Sequence, residues 1–501
     1  MISTLLWTLI AVQVALGAFD TLFHHELTER LAWRPSQKKE LRLHGVRNLI
    51  YAALFVALGW CEAQGALAAL VGGLLAVELV ITLWDFVEED MTRRLPASER
   101  ITHTLLALNY GAILTLLAPV LIGWAARDTA VMAADHGLWS LFATAAAVGV
   151  AVFGLRDLAA AGRSERLRPR PAGALVAALA PRRTVLVTGA TGFVGSRLSE
   201  ALAAGGHEVI ALTRDPKKAL ALRPPFRLVT DLEQIAAETR IDAIVHLAGE
   251  PVSGGPWTQR RRTAIIESRT KLTGSLLRLI ARLETRPEVL IGASAIGWYG
   301  LHGDEELGES GAPNDCFSHQ SCAAVEQEIA KAARYGVRTV ALRIGLVLGS
   351  EGGLLARLLL PFEFGFGGPI GTGRQWMSWI ARDDLVRLIA HVIATPGLEG
   401  PVNATAPRPE RNADFGKALG RALHRPAIMP LPALPLRLLG GDFARELLLG
   451  GQRVLPRKAL ASGFAFHYPA LGCALAAILG TKPAAPRRAP HAELAHRLHL
   501  N

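Results

Sequence analysis

The chain has 501 residues, of which 50% are hydrophobic and 19% are charged, and its formal net charge is +11. Soluble proteins carry about 25% charged residues, so this composition predicts membrane-spanning segments and excludes a mainly disordered, collagenous or coiled-coil protein. The four cysteines (Cys61, Cys316, Cys322 and Cys473) show no C-x-x-C spacing, which argues against a zinc module or a disulfide scaffold.

Apolar residues are concentrated in the first third of the chain. Five stretches there can cross, or nearly cross, a bilayer, which takes about 20 helical residues. They cover residues 2–23, 43–60, 66–84, 103–125 and 137–155. Lys and Arg cluster after the first, third and fifth stretches, whereas the other two connections carry only Arg127. Because positively charged loops stay cytoplasmic, the pattern predicts an external N-terminus, five crossings and a cytoplasmic C-terminal part. The first stretch lacks the preceding positive charges of a cleaved signal peptide, so we expect a retained anchor.

Polar side chains gather at the ends of these stretches that are predicted to face the cytoplasm. Three carboxylate–histidine pairs have a spacing of four, which places both members on one helix face: Asp20/His24, Glu40/His44 and Glu99/His103. Carboxylates and imidazoles from several helices form di-metal sites in helical bundles. The sequence therefore suggests a metal site with these candidate ligands: His24, His25, His44, His103 and Glu99. Solvated helix ends, a proton path and a polar entrance for a lipid substrate are the alternatives.

The pattern changes after the last apolar stretch. Residues 159–183 are rich in Arg, Ala and Pro, which predicts a linker whose charges contact anionic lipid head groups or only specify orientation. From residue 184 strands and helices alternate, which predicts an α/β domain with a parallel sheet covered on both faces. We therefore expect a transmembrane helical domain over residues 1–158, the α/β domain over 184–410, a mostly helical subdomain over 411–480 and a poorly ordered tail over 481–501.

A glycine-rich segment joins the first strand and helix of the α/β region. Residues 184–196 read TVLVTGATGFVGS and place Gly189, Gly192 and Gly195 between them. Glycines permit a tight turn and a close approach of a pyrophosphate, which the helix N-terminus then binds. The segment predicts a dinucleotide site, and a glycine turn without a ligand is the alternative.

The end of the second strand bears on the choice of nucleotide. Arg214 follows this strand and would pair with the 2′-phosphate of NADP, which we favour. The neighbouring Asp215 keeps NAD open, and an ordinary solvated charge is the other interpretation of Arg214.

Several motifs together resemble a known superfamily. The glycine segment, residues 246–249 (HLAG) and residues 294–300 (SAIGWYG) resemble the extended short-chain dehydrogenases/reductases. Residues 365–384 (GFGGPIGTGRQWMSWIARDD), 401–407 (PVNATAP) and 446–455 (ELLLGGQRVL) resemble an atypical branch, the NAD-dependent epimerase/dehydratase-like family with its own small C-terminal domain. The resemblance covers about residues 184–479 and implies a Rossmann domain that binds NAD(P), with the substrate in a cleft closed by the C-terminal portion.

The resemblance also implies individual site residues. The implied cofactor-binding residues are Gly189, Thr191, Gly192, Phe193, Val194, Gly195, Thr213, Arg214, His246, Leu247, Ala248 and Gly249. Those of the glycine segment would line the pyrophosphate, and those from His246 on would pass beside the adenine ribose. Arg374 and Gln375 lie where related proteins contact substrate. Arg374 would bind a phosphate or carboxylate through its planar guanidinium, and its alternative role is an exposed loop charge.

The superfamily's catalytic Tyr-x-x-x-Lys pair is absent from this chain. No tyrosine has a lysine four positions later. When the chain is aligned on Glu326 in the helix predicted over residues 317–333, Ser318 takes the position of the tyrosine and Cys322 takes that of the lysine. The candidate catalytic residues are therefore Ser294, Tyr299, Ser318 and Cys322. Cys322 acts as a thiolate only if its pKa is lowered, and packing is the alternative; Tyr299 would hydrogen-bond substrate or serve the fold.

These observations favour a membrane-anchored oxidoreductase or epimerase-like enzyme. It would act on an unknown small or lipid-linked substrate at the cytoplasmic face of a bacterial-type inner membrane. The alternatives are a non-catalytic NAD(P)H-binding redox sensor, which the missing pair favours, and a structural membrane protein with a vestigial nucleotide domain. The expected partners are the nucleotide, membrane lipids and the substrate. Nucleic acid is not needed to explain the charge, because much of it lies in the linker and tail.

Overall fold

The computed structural model describes residues 2–93, 95–164, 166–167, 170–215 and 226–481, and all structural statements refer to these residues. The chain divides into two compact units, Met1–Arg168 and Pro169–Asn501.

The N-terminal unit is a bundle of long apolar helices. In its described residues, five helices have the length and composition needed to span a membrane. They are α1 (Thr4–Phe19), which continues as a π-helix over Asp20–Glu29, α2 (Lys38–Trp60), α3 (Ala66–Thr92), α4 (Ala97–Ala125) and α5 (Leu138–Ser164). Each covers most of one predicted apolar stretch and extends beyond it at the polar end. The sequence pattern ended each stretch at the first charges, but buried ion pairs within the bundle let the helices continue.

The two ends of the bundle differ in character. Strands β1 (Cys61–Ala63) and β2 (Val131–Ala133) pair in antiparallel fashion and join the α2–α3 connection to the α4–α5 connection. Trp7 near the start of α1 stacks on Trp139 near the start of α5, with ring centroids 6.0 Å apart. The N-terminus and both weakly charged connections therefore lie at one end. The polar helix ends lie at the other, as an alternating topology requires.

The C-terminal unit is built on a parallel sheet. Over its described residues the sheet has seven strands: β3 (Thr184–Thr188), β4 (Glu208–Leu212), β5 (Arg227–Val229), β6 (Ala243–His246), β7 (Val289–Ala295), β9 (Arg338–Ile344) and β13 (Gly400–Ala404). Their order is β13-β9-β7-β6-β3-β4-β5, and all pairs are parallel. Short two-stranded pairings use β8 (Glu306–Leu307), β10 (Leu346–Gly349), β11 (Trp376–Met377), β12 (Trp379–Ala381), β14 (Glu410–Arg411) and β15 (Arg453–Val454).

Helices cover both faces of this sheet. They are α6 (Phe193–Ala204), α7 (Gln259–Arg282), α8 (Phe317–Ala330), α9 (Gly353–Glu363), α10 (Arg382–Ala394), α11 (Asn412–Leu423), α12 (Ala433–Leu447), α13 (Arg457–Ala461) and α14 (Leu471–Leu479). Alternate strand residues enter separate cores, since side chains of a strand point to opposite faces. Val185 and Val187 join one core and Leu186 joins the other. The predicted parallel sheet with two covered faces, and the helical C-terminal part, are confirmed.

The predicted linker differs from the observed chain. Residues Ala172–Val176 form a 3-10 turn, in which Leu175 and Val176 are buried in the core beside α6. A Cβ added at Gly173 would lie 2.8 Å from the carbonyl oxygen of Ala204. The apolar residues of this segment thus belong to the packed C-terminal unit. The tail after Thr481 lies outside the described residues.

Candidate functional site

The strand order reverses at β3, because β4 lies on one side of it and β6 on the other. In open parallel sheets, ligands bind at such a reversal, outside the carboxyl ends of the strands. The loops after β3 and β6 meet there. A Cβ added at Gly189 would lie 2.9 Å from the amide nitrogen of Ala248. The glycine segment and residues 246–249 are therefore neighbours, as the resemblance implies.

The geometry of the glycine loop requires glycine at two positions. Gly189 has φ +70°, a backbone conformation that favours glycine. A Cβ at Gly195 would lie 2.1 Å from the carbonyl oxygen of Gly189, so the helix can start this close to the strand only with glycine there. Gly192 is exposed and is the N-cap of α6 without a side-chain cap. The loop thus presents main chain, free amides and a helix N-terminus, which together fit a pyrophosphate.

Other residues of this segment contribute differently. Thr191 is half-buried in the loop, and half-buried Val194 packs against the core. The Phe193 ring packs on the loop after β10, where a Cβ at Gly352 would lie 2.5 Å from it. The Arg382 guanidinium lies 5.0 Å from the centre of the same ring. The Phe193 ring thus packs within the fold, and its main chain is the part of this residue that can line the pyrophosphate.

The chain turns sharply at the end of β4. The Asp215 amide donates a hydrogen bond to Thr213 Oγ1 at 3.1 Å, which shapes the turn. Arg214 between them is exposed. Its guanidinium is therefore accessible to a 2′-phosphate at this edge of the sheet.

His246 does not contact the nucleotide side of the crevice. Its side chain is 2% exposed, and Nδ1 lies 2.7 Å from Thr188 Oγ1. Burial lowers its pKa to about 4, so the imidazole is neutral and joins β6 to β3. The main chain is therefore the part of His246 that can pass beside the adenine ribose. Leu247 and Ala248 are half-buried and Gly249 is exposed at the crevice.

The positions that replace the missing pair lie together beneath the loop after β7. A Cβ at Gly297 would lie 3.0 Å from Ser318 Cβ and 3.8 Å from Cys322 Sγ. Burial raises the pKa of Cys322 to about 11, which corrects its candidacy as a thiolate. Ser318 Oγ donates a 2.6 Å hydrogen bond to Glu446 Oε2, and its amide donates to the same oxygen at 2.9 Å.

The other two catalytic candidates take part in a buried network. Ser294 Oγ donates to Glu326 Oε1 at 2.7 Å, and Arg343 binds the same carboxylate at 2.9 Å. Tyr299 is fully buried, with Oη 2.7 Å from Asn403 Oδ1, and burial raises its pKa. The interpretation of Tyr299 as a substrate contact is therefore wrong, because its hydroxyl is enclosed by protein partners.

Sequence reasoning missed two charged residues at this site. Arg269 of α7 lies beside the exposed loop, since a Cβ at Gly249 would be 2.6 Å from its Cζ. Burial lowers the pKa of Arg269, which the charge of Glu250 partly offsets. Glu446 comes from α12, far away in sequence. Arg269 is one of many helical arginines, but Glu446 opens the ELLLGGQ motif and could have been found there.

The two substrate candidates separate in the structure. The Gln375 amide donates to the carbonyl oxygens of Ile370 at 3.0 Å and Leu448 at 2.9 Å. Its amide nitrogen therefore holds the end of α12 in place, and substrate contact by Gln375 stays a prediction. Arg374 is exposed, which leaves its predicted role open.

The polar helix ends of the N-terminal unit form one buried cluster. His25, His44, His103 and Glu99 come together there. Carboxylates missing from the sequence-based ligand set join them: Asp20, Glu40 and Glu89. His24 does not join, because its Nδ1 and Nε2 lie 2.8 Å from Asp20 Oδ1 and 3.1 Å from Ser98 Oγ.

Comparisons with known proteins identify similarity in the C-terminal unit. A family model described as the NAD dependent epimerase/dehydratase family matches residues 185–403, and one described as a domain of unknown function (DUF1731) matches residues 431–478. The chain is 36% identical to epimerase family protein YfhF of Bacillus subtilis over 303 residues, which cover 60% of this chain and 98% of that protein. It is 38% identical over 303 residues to the chloroplastic epimerase family protein SDR39U1 homolog of Arabidopsis thaliana, covering 59% of this chain and 86% of that protein. Among solved structures, human epimerase family protein SDR39U1 (isoform 2) with NADPH matches with a TM-score of 0.54 and 32% identity, covering 59% of this chain and 99% of that one.

Proposed function

Since the chain belongs to the NAD dependent epimerase/dehydratase family, we propose that its C-terminal unit binds NADPH and acts as an oxidoreductase or epimerase-like enzyme anchored to a membrane. The observation that carries the nucleotide assignment is the glycine loop, whose three glycines bring main chain and the start of α6 to the switch point of the sheet. The NADPH in the similar human structure supports the same assignment.

NADPH is favoured over NADH by the charge at the end of β4. Arg214 is exposed, which supports pairing with a 2′-phosphate, to which a guanidinium can donate two parallel hydrogen bonds. An Arg214→Ala variant is expected to weaken NADPH binding and leave NADH binding nearly unchanged. Equal weakening of both would remove the basis of the preference.

The chemistry of the site departs from phenolate catalysis. The nucleotide, when bound, would supply or accept a hydride. Ser318 occupies the position of the missing tyrosine, and Glu446 is its hydrogen-bond partner. Glu446 orients the Ser318 hydroxyl, and Arg269 places positive charge beside the exposed Gly249 loop. The Ser318 hydrogen is donated to Glu446, so its oxygen can accept a hydrogen bond from a substrate hydroxyl, whereas the Arg269 guanidinium suits a carbonyl or an acidic group.

The N-terminal helices are proposed to anchor the enzyme in a membrane with the C-terminal unit on the cytoplasmic side. Large apolar side chains point outward along these helices, including Leu70 (59% exposed), Val80 (62%) and Leu108 (69%). Such exposed apolar surface is unfavourable in water and suits lipid. The distribution of Lys and Arg supports the orientation, and a membrane location favours a lipid-linked substrate.

Nucleotide titration of the full-length protein in detergent tests the enzyme proposal. NADPH is expected to bind, and to be oxidised when candidate carbonyl lipids are added. The decrease in NADPH absorbance measures this oxidation. Failure to bind either nucleotide would contradict the proposal for the whole C-terminal unit. Reporter fusions after residues 64 and 134, both expected outside, and after residue 95, expected inside, test the orientation.

A second candidate function is a sensor that binds NAD(P)H without turnover. The observation that favours it is the replacement of the tyrosine and lysine by Ser318 and Cys322, the latter with its pKa raised to about 11. Tight NADPH binding with no turnover on any carbonyl substrate, and a change in protease sensitivity on binding, would support the sensor over the enzyme.

A further inference from the structure

We propose that the polar cluster of the N-terminal unit binds a divalent first-row transition-metal ion through Asp20, His25, Glu99 and His103. This site is separate from the proposed nucleotide site. Its ligands come from the π-helical continuation of α1 and from the first two turns of α4.

Four side-chain atoms converge at the spacing that an ion needs. Asp20 Oδ2 lies 3.3 Å from His25 Nε2 and 3.2 Å from His103 Nε2, and His25 Nε2 lies 3.6 Å from Glu99 Oε1. All four ligand atoms lie within 4.8 Å of one another. Metal bonds of about 2.1 Å in a tetrahedral arrangement separate neighbouring ligand atoms by about 3.4 Å. These three separations are close to the spacing around one shared ion, and small side-chain shifts would bring the remaining pairs, which lie within 4.8 Å, to it.

The local helix geometry explains why these residues meet. The chain after Phe19 winds as a π-helix over ten residues, Asp20–Glu29. Its i to i+5 hydrogen-bond pattern turns both Asp20 and His25 inward, which an α-helix would not do. On α4, Glu99 and His103 are four residues apart and share one α-helical face. π-helical segments are rare in proteins, and those that occur are frequently found at functional sites.

Each proposed ligand but one is oriented by a further partner. Asp20 Oδ1 lies 2.8 Å from His24 Nδ1, which leaves Oδ2 directed to the site. Arg93 donates to both oxygens of Glu99, at 2.9 and 2.7 Å. His103 Nδ1 lies 3.4 Å from Glu89 Oε2, the carboxylate–histidine pairing that commonly supports a metal ligand.

The remaining proposed metal ligand, His25, provides independent evidence that an ion binds here. His25 is 6% exposed, and its Nε2 forms no hydrogen bond with any described residue, although it faces two carboxylates. A buried polar atom without a hydrogen bond is costly and needs an explanation. A metal ion between His25 and the carboxylates of Asp20 and Glu99 provides it.

The charge of the cluster also calls for a cation. Its described residues include five buried carboxylates, those of Asp20, Glu40, Asp85, Glu89 and Glu99. Two arginines, Arg47 and Arg93, pair with carboxylates among them. The histidines that lie within ion-pairing distance of these carboxylates would be neutral as metal ligands, so a divalent ion would remove most of the excess buried charge.

A second group of potential ligands is less suited. It comprises His25, Glu40, His44 and Glu89. Arg93 Nη2 already binds Glu40 at 3.0 Å and Glu89 at 3.2 Å, so a guanidinium occupies the position between these carboxylates. In the first group, Arg93 engages only Glu99.

The site borders a cavity within the bundle. The cavity has a volume of about 430 Å³, and Asp20 and His103 line it together with apolar side chains such as Phe55, Leu106 and Phe142. Four protein ligands and an open side toward the cavity leave room for an exchangeable ligand. Two imidazoles and two carboxylates suit iron, manganese, cobalt or zinc.

Metal analysis of the full-length protein tests this proposal. The protein is purified in detergent by a tag that contains no histidines, and its metal content is measured by mass spectrometry. About one transition-metal ion per chain is expected. After removal with a chelator, titration with Co²⁺ is expected to give saturable visible absorption bands at one equivalent.

Matched variants locate the ion. Glu99→Gln and His103→Gln are expected to reduce Co²⁺ affinity by more than 100-fold. His24→Gln, which removes only the support of Asp20, is expected to reduce it by about 10-fold. His136→Gln is the control, because this histidine lies beside Trp7 at the opposite end of the bundle, and it should bind Co²⁺ normally.

Two results would overturn the proposal. The first is wild-type protein that contains no stoichiometric metal and shows no Co²⁺ spectrum, in which case protonated histidines balance the carboxylates. The second is Co²⁺ binding that is unchanged in both ligand variants. NADPH titration of each variant shows whether its C-terminal unit remains folded, and the wild-type measurements decide the question if a variant does not fold.

Discussion

A methyl group added at Gly192 gives the sharpest test of the nucleotide site. Gly192 has φ −80° and ψ 172°, which alanine adopts without strain. A Cβ there would meet only one atom within 4 Å, the carbonyl oxygen of Gly189 at 3.1 Å. Because this oxygen must move by only a few tenths of an ångström, Gly192→Ala should cost the fold about 1 kcal/mol. Its methyl would nevertheless stand on the exposed face of the loop that we assign to the pyrophosphate.

The expected effect on binding follows from that position. Forcing a methyl group into a close contact costs about 1–3 kcal/mol, which corresponds to a loss of about 5- to 150-fold in NADPH affinity. Calorimetric titration measures the affinity, and thermal unfolding of the same samples measures stability. Gly274→Ala is the control, since a Cβ in the middle of α7 would meet nothing within 4 Å, and it should bind NADPH normally. Wild-type affinity in Gly192→Ala with unchanged stability would refute the assignment of this loop.

Three further predictions concern buried groups of the C-terminal unit. Tyr299→Phe removes a hydroxyl that is hydrogen-bonded to Asn403, so it should lower the free energy of unfolding by about 1–3 kcal/mol without changing NADPH affinity. Normal stability with loss of turnover would instead indicate a catalytic role for Tyr299. With its pKa near 11, the thiol of Cys322 should be about 0.1% thiolate at pH 8. Mass spectrometry should therefore find Cys322 alkylated far more slowly than the exposed Cys473, and its alkylation rate should rise up to about pH 11. Comparable alkylation rates of the two cysteines near neutral pH would argue against a buried thiol. Because the pKa of His246 is lowered from 6.5 to about 4, protons bind preferentially to the unfolded chain between these values, and stability should fall by about 1.4 kcal/mol per pH unit as pH drops from 6.5 towards 4. Thermal unfolding at pH 7 and pH 5 should show a smaller drop in His246→Gln, and the same drop in both proteins would contradict this.

The N-terminal cluster illustrates what spacing in a sequence reveals and what it hides. The four-residue spacing of Glu99 and His103 correctly indicated a shared face, because α4 is a regular α-helix there. The same rule correctly pairs Asp20 with His24, whose Nδ1 lies 2.8 Å from Asp20 Oδ1, but it does not reveal that the π-helix also brings His25 to Asp20. Hydrogen-bond register within a helix is set by its packing against other helices, which residue spacing does not record.

The C-terminal site likewise has features that the sequence reveals and features that it hides. The predicted glycine loop and the main-chain approach of residues 246–249 are found in the structure, because glycine patterns and strand order are local or nearly local features. The side chains of Tyr299 and Gln375 are candidates for substrate contact by sequence, and both form hydrogen bonds within the fold. Their partners Asn403 and Leu448 lie far away in sequence, so no local motif indicates these contacts.

The sequence by itself determined the apolar helices, the alternating α/β pattern, the parallel sheet and the position of the glycine loop. These follow from hydrophobic periodicity and from the conformational freedom of glycine, which single segments carry. Only the tertiary structure decided that Glu446 holds Ser318, that Arg269 lies beside Gly249, and that Asp20, His25, Glu99 and His103 converge. Burial, pKa and ligand geometry depend on distances between segments, and those distances exist only once the chain has folded.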